Sequence, residues 1–376
     1  MKGIFWTSIH ARTVDETVWK DIDDTDVDID TNLLIEHFSK KKTQQKAESS
    51  ESKSGPASPK AITIVDGKKQ QNAGIVISRL KMDANELRSA VMNMDESLLT
   101  PDKVGMLINI APTPEEIGAL QAYDGDASLL GKVDKLLLEL TMITHFKEQL
   151  QCMHVKYSFA EQARELERVL STCSQAVVQM RESHKLKSLL KVILRVGNFM
   201  NGGSRRGGSF GVKLDVLDKI ETSKSKSGKF TLVHYVVQSL QKVDAAALGL
   251  RGDLSASTEA AKYTLGQLQG DFAVLRKGMQ MVKNEVAWAN KSEAAPNFAT
   301  LMGPFAAAAE KTVEDIENGL KTLKSDFEAL VTSYGENAAK TELDAFFKQI
   351  DHFCQVFEQA IGRVEATAGG LKLGEE

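Results

Sequence analysis

The feature that most restricts the fold is a pair of apolar seams. Leu265, Leu268, Phe272, Leu275, Met279, Val282 and Val286 step by three and four residues, and Val313, Ile316, Leu320, Leu323, Phe327, Leu330 and Tyr334 do the same. Residues at those spacings share one face of an α-helix, so each seam is a stripe that has to be buried against another helix. The break NKSEAAPNFATLMGPF between them gives the chain room to reverse, which predicts an antiparallel helical pair or short coiled coil. Phe146, Leu150, Met153 and Tyr157 begin a third amphipathic run, which continues as far as LKSLLKVILRV. Helical periods dominate from about residue 61 onward, with Gly and Pro at breaks such as LLTPDKVG and NIAPTPEEIG. No alternating run would build a sheet, so the expected class is all-α.

Residues 1–39 read differently. They hold Trp6 and Trp19, two of the chain's three tryptophans, in a segment with no sustained helical period. Each tryptophan carries ~150 to 250 Å² of mostly apolar surface, which such an arm cannot bury by itself. The arm therefore docks on a preformed surface, either the body of the same chain or a neighbouring molecule. Residues 40–60, KKKTQQKAESSESKSGPASPK, are nearly devoid of apolar side chains and have the composition of a linker. At about 3.3 Å per extended residue this linker spans several tens of ångströms, so the arm is not tied to the body it is covalently nearest.

The 376 residues, 42% hydrophobic and 26% charged, suffice for two or three packed units. A net charge of −4 does not favour nucleic acid, so an electrostatic partner has to be met by a local patch. Cys152, Cys173 and Cys354 are odd in number and far apart, which argues against a disulfide framework and suits a reducing, cytoplasmic compartment. No run approaches the ~18 to 20 apolar residues of a membrane span, and MKGIFWTSIH lacks the apolar run of a signal peptide. Cys152 and His154 are two apart, on different faces of a helix, and no CxxC or HExxH occurs; neither a metal nor another cofactor is expected. Asp23 and Asp24 lie in an acidic run rather than an apolar pocket.

GNFMNGGSRRGGSFGVKL, residues 197–214, is the most glycine-dense stretch. As a phosphate cradle it lacks a preceding strand and the Lys-Ser/Thr of a P-loop. It follows an apolar helix, so Gly197 reads as a kink or close-packing point, with Asn198 and Asn201 hydrogen-bonding backbone turns. Beyond it Lys213, Lys219, Lys224, Lys226 and Lys229 form either a solvated loop or a patch for an acidic surface.

These residues carry a resemblance. GNFMNGGSRRGGSFGVKLDVLDKIETSKS resembles the signature of the formin homology 2 domain: a Gly-Asn, a second Asn, spaced glycines, a Leu-x-x-Leu-x-Lys-Ile run and a Thr-Lys-Ser-like turn. KGIFWT, TVW, KKQQNAGIVISRLK, SYGE and FFKQIDHFCQVFEQA are similar to other parts of that domain, in the family's order, over about residues 2 to 363. Val212 stands where the family commonly has Phe, and SYGE where it has YFGE.

The resemblance implies an all-α, elongated subunit closed head-to-tail into a ring-shaped dimer, and no enzyme. Its parts fall at residues 1–39 (lasso), 40–62 (linker), 63–130 (knob), 131–180 (first coiled-coil helix), 181–255 (post), 256–363 (long helices completing the coiled coil and returning to the knob) and 364–376 (tail). The lasso residues Phe5, Trp6 and Trp19 of one copy are expected to engage the post motif Gly197, Asn198, Asn201 and Gly203 of the other. Two actin contacts are implied: Ile75 in the knob, which spacing alone would place in the core, and Lys224 after the post motif. The implied activity is nucleation of actin filaments and processive capping of their growing barbed ends in the cytoplasmic actin cytoskeleton. The alternative is a helical scaffold or actin-bundling module without nucleation. The chain's seven prolines form no run, so the proline-rich segment that recruits profilin–actin is not among these residues, and the chain is expected to be one domain of a longer protein.

Overall fold

A computed structural model describes residues 62–202, 208–226, 228–292 and 294–367. The chain divides into two units, Met1–Lys60 and Ala61–Glu376. The first unit, with Phe5, Trp6, Trp19 and nearly all of the linker, lies outside the described residues, as do Gly203, Arg205, Arg206 and residues 368–376.

The second unit is helical. Only two isolated bridges, Ile62 with Leu130 and Lys224 with Thr231, bring β pairing among the described residues. The knob consists of α1 (Gly67–Leu80), α2 (Ala84–Met92), α3 (Pro101–Ile110), α4 (Pro114–Gln121) and α5 (Lys132–Thr141). The two proline "breaks" of the sequence are helix starts: Pro101 follows the N-cap Thr100, and Pro114 follows Thr113, which forms a capping box with Glu116. Asp134 of α5 is fully buried. Its carboxylate accepts the N–H groups of Ile64 and Val65 at 3.2 and 3.1 Å and a bond from Gln70, which ties the segment after the linker to the knob. α5, beyond the expected boundary at 130, packs on α1, α2 and α4.

At His145, φ 55°, the chain enters α6 (Phe146–Glu182). After α7 (His184–Met200), α8 (Val216–Thr222), α9 (Leu232–Val243), α10 (Leu250–Asp253) and α11 (Ser257–Ala260) come α12 (Leu265–Ala289) and α13 (Pro296–Ser333). α6, α12 and α13 form a three-helix coiled coil, and side-chain contacts fix its directions. Lys283 pairs with Glu310 and Arg276 with Glu317, so α12 and α13 run antiparallel as the seams require. Phe159 meets Phe305 edge-on and Arg181 reaches Asp326, so α6 and α13 run parallel. Leu268, Phe272, Leu275, Met279 and Val282 from one seam, and Ile316 through Leu330 from the other, are buried.

The last helix, α14 (Leu343–Ala366), departs from the expected course of residues 256–363. The turn between α12 and α13 does touch the knob: Asn297 bonds Asn93, and Trp288 stacks on His145, whose Nδ1 lies 3.0 Å from buried Glu285. α14 instead packs on the post. Thr258 donates to Asp351 at 2.6 Å, Arg251 pairs with Glu358, and Gln349 bonds Asp218. The cause is its apolar stripe, Phe346, Phe347, Ile350, Phe353 and Phe357, which is buried against the post helices and the end of α13.

Candidate functional site

Three exposed features fall at residues singled out from the sequence. The first is on α1. Asp66 caps this helix by accepting the N–H of Lys69 at 2.8 Å, and Lys69 in turn donates to the Ala111 carbonyl and pairs with Glu116. Ala73, Val76, Ile77 and Leu80 supply the face turned to the core. Ile75 is on the other face and 49% exposed, which corrects the core position that spacing alone gave it. Ile75 thus leaves about half of its side chain in water on a firmly capped helix.

The second is Lys224, exposed at the start of a small hairpin. Ser225 N–H donates to the Phe230 carbonyl at 2.9 Å, Leu232 N–H to the Ser223 carbonyl at 2.8 Å, and Gly228 turns the loop with φ 71°. His234, buried at the first turn of α9, closes the base: its Nδ1 accepts the N–H of Thr231 at 3.2 Å. Burial, with Arg363 adding to it, holds this imidazole below its ordinary value, so the ring favours the neutral form that can accept. The lysine cluster divides: Lys213 pairs with Glu336 and Lys219 with Asp215, while Lys224 and Lys226 are exposed on the hairpin.

The third is the end of α7. Asn198 clamps the returning loop, accepting the Ser209 N–H on Oδ1 and donating from Nδ2 to the Ser209 carbonyl, both at 2.8 Å. Asn201 ends the helix, its N–H bonding the Gly197 carbonyl at 2.9 Å. The side chain of Asn198 bonds backbone as the sequence suggests, whereas the bond of Asn201 is a main-chain one. Gly197 is not a close-packing point among the described residues: the helix runs through to Met200, and a Cβ there would meet none of them within 4 Å. That open space adjoins apolar surface. Phe199 is 85% exposed, Phe210 is fully exposed, and a cleft of about 470 Å³ opens between Arg195, Val196, Phe199, Met200, Leu232 and Tyr235.

Sequence reading passed over this cleft, although a signal was present: Phe199 and Met200 end a helix, and Phe210 sits between glycines, so neither place offers local packing. Gly207 to Gly211 also has the G-x-S-x-G spacing of a nucleophile elbow. No strand leads into it among the described residues, and Ser209 is held through its backbone by Asn198. Nor do the thiols suit catalysis. All three are buried, and burial pushes Cys152 and Cys354 up to about 12 and Cys173 to about 11. Cys152 is buried while His154 is exposed, and no group of three metal-ligating side chains occurs among the described residues. No helix there is long and apolar enough to cross a membrane.

The profile of the Formin Homology 2 Domain matches residues 1–358. Disheveled-associated activator of morphogenesis 1 from Mus musculus is 30% identical over 96% of this chain, and that alignment covers 35% of the relative. Disheveled-associated activator of morphogenesis 2 from Homo sapiens is 29% identical over 97% of the chain and 35% of the relative. Formin-like protein 20 from Arabidopsis thaliana is 28% identical over 96% of the chain and 22% of the relative. The chain thus spans about a third or less of the length of these relatives.

Proposed function

The chain belongs to the formin homology 2 domain family, and from that membership we propose that it nucleates actin filaments and stays with their growing barbed ends as a head-to-tail, ring-shaped homodimer. The observation that carries the reading is Ile75, an exposed apolar side chain at the position where the family meets actin. It enters an apolar cleft on one actin subunit, and Lys224, held out on its hairpin, meets an acidic surface. Actin nuclei are short-lived because two subunits share too few contacts. A ring with two such half-sites raises the effective concentration of the subunits and holds them near filament geometry.

Dimer closure uses the third feature. The lasso of one copy, with Phe5, Trp6 and Trp19, covers the surface around Gly197, Asn198, Asn201 and Gly203 of the other, where Phe199, Met200 and Phe210 await burial. The hydrogen bonds of Asn198 keep that surface in shape. Residues 40–62 let one half release while the other holds. The work is binding and release, with no bond chemistry and no cofactor, in the cytoplasmic actin cytoskeleton; profilin would be engaged through a proline-rich segment outside this chain.

Fluorescent actin assembly tests the sites. Ile75→Ala and Lys224→Asp are each expected to leave the dimer intact in sedimentation while abolishing nucleation; full activity in both variants would sink the assignment. An apolar anchor and a desolvated interfacial lysine each contribute on the order of 2 to 5 kcal/mol, enough for that loss.

A further inference from the structure

The outer face of α1 carries a charge pattern that its own stability does not explain. Lys68, Asn72, Ile75 and Arg79 follow one another at spacings of four, three and four, which puts them on one stripe, and all four are exposed. The stripe contains no acid in a chain whose net charge is −4. Ile75 is its one apolar member, with Lys68 roughly 10 Å to one side along the helix and Arg79 roughly 6 Å to the other. The two cations differ in what the helix does for them. Arg79, in the last turn, faces the negative end of the helix dipole, where a cation is stabilised; Lys68, in the first turn, faces the positive end and is disfavoured. Its neighbour Lys69 is equally misplaced but compensated by Glu116 and the Ala111 carbonyl. Among the described residues neither Lys68 nor Arg79 has an ion-pair partner. Arg79 also borders a cleft of about 660 Å³ beside Lys81, Met82 and Leu98.

We propose that this stripe is one docking ridge, in which Ile75 fills an apolar cleft of an actin subunit while Lys68 and Arg79 meet carboxylates on the two rims of that cleft. The inference rests on the actin reading above and adds a charge requirement to it. Lys68 is the sharper indicator, because its place costs the helix stability that a partner's carboxylate would return. Arg79 presents a planar fork suited to gripping a carboxylate with two bonds. Rim charges act mainly on the rate of association and its salt dependence, so both residues leave a signature distinct from that of Ile75.

The experiment measures affinity for filament barbed ends, as slowed growth from preformed seeds, for Lys68→Glu, Arg79→Glu and Ile75→Ala at low and high salt, alongside thermal unfolding. Lys68→Glu is expected to raise the melting temperature slightly, because an anion now faces the helix N-terminus, yet to weaken barbed-end binding roughly fivefold or more at low salt and flatten its salt dependence. Arg79→Glu should weaken binding in the same way, with a small fall in melting temperature. If both reversals keep the affinity and salt slope of the unaltered chain while Ile75→Ala loses binding, the rim contacts are overturned and the actin reading stands. If Ile75→Ala also binds normally, the actin reading fails with them. Arg79→Gln, which removes the charge without reversing it, decides the matter should Arg79→Glu unfold.

Discussion

His234 supports the hairpin that carries Lys224. Its neutral Nδ1 accepts from Thr231, the residue bridged to Lys224, and its Nε2 is buried with no hydrogen-bond partner among the described residues. Protonation removes the acceptor and places a charge in a buried site that Arg363 already makes unfavourable. The folded value lies below the ordinary 6.5, so the unfolded chain binds the proton more readily; stability is full above that pH and is lost as pH falls from 6.5 towards the folded value. Hydrogen exchange of the amides at 225 and 232 is therefore expected to speed up as pH is lowered through this window, after correction for intrinsic rates, and the extra opening should vanish in His234→Gln. A pH response unchanged by that substitution would contradict this role. Tyr334 shows a different residue-scale effect. In SYGE its phenol donates to the Met180 carbonyl at 2.9 Å and burial pushes it up to about 12, so the aromatic ties the end of α13 to α6, while Glu336 accepts the Leu214 N–H and ties it to the loop before α8.

At the scale of elements, periodicity and topology were unequally legible. Leu268 through Val282 and Ile316 through Leu330 announce their helices because burial on one face imposes a period, and the structure places both seams in the coiled coil. The same rule misplaced Ile75, which is about half exposed, since an apolar residue at helical spacing does not by itself say which face of the helix is covered. It also could not say where α14 goes: a stripe of phenylalanines states that the helix is buried, not against which neighbour. The cleft beside α7 was illegible for a related reason, because Leu232 and Tyr235 approach Phe199 only through tertiary packing. The proposed docking of the lasso at that cleft is testable at this scale. Truncating a buried tryptophan costs roughly 3 to 5 kcal/mol, a hundredfold or more in affinity, at each of two arms. Trp6→Ala is thus expected to sediment as monomer at concentrations where the unaltered chain is dimeric, and an undisturbed dimer would remove the lasso assignment.

For the whole molecule, the described residues present the proposed contacts on firmly held elements. The knob is fastened to its entering segment by Asp134, the hairpin by His234 and the post loop by Asn198, so the proposed contact residues are held by buried or clamped polar groups rather than by long loops. Such rigid presentation suits the proposed role of organising subunits whose own association is too weak. The most direct measurement is spontaneous assembly of fluorescent actin monomers with increasing amounts of the 376-residue chain. The lag before assembly is predicted to shorten in proportion to the dimer added, with barbed ends that keep growing while resisting an added capping protein. A lag unaltered at every concentration, with the chain folded and dimeric, would contradict the account.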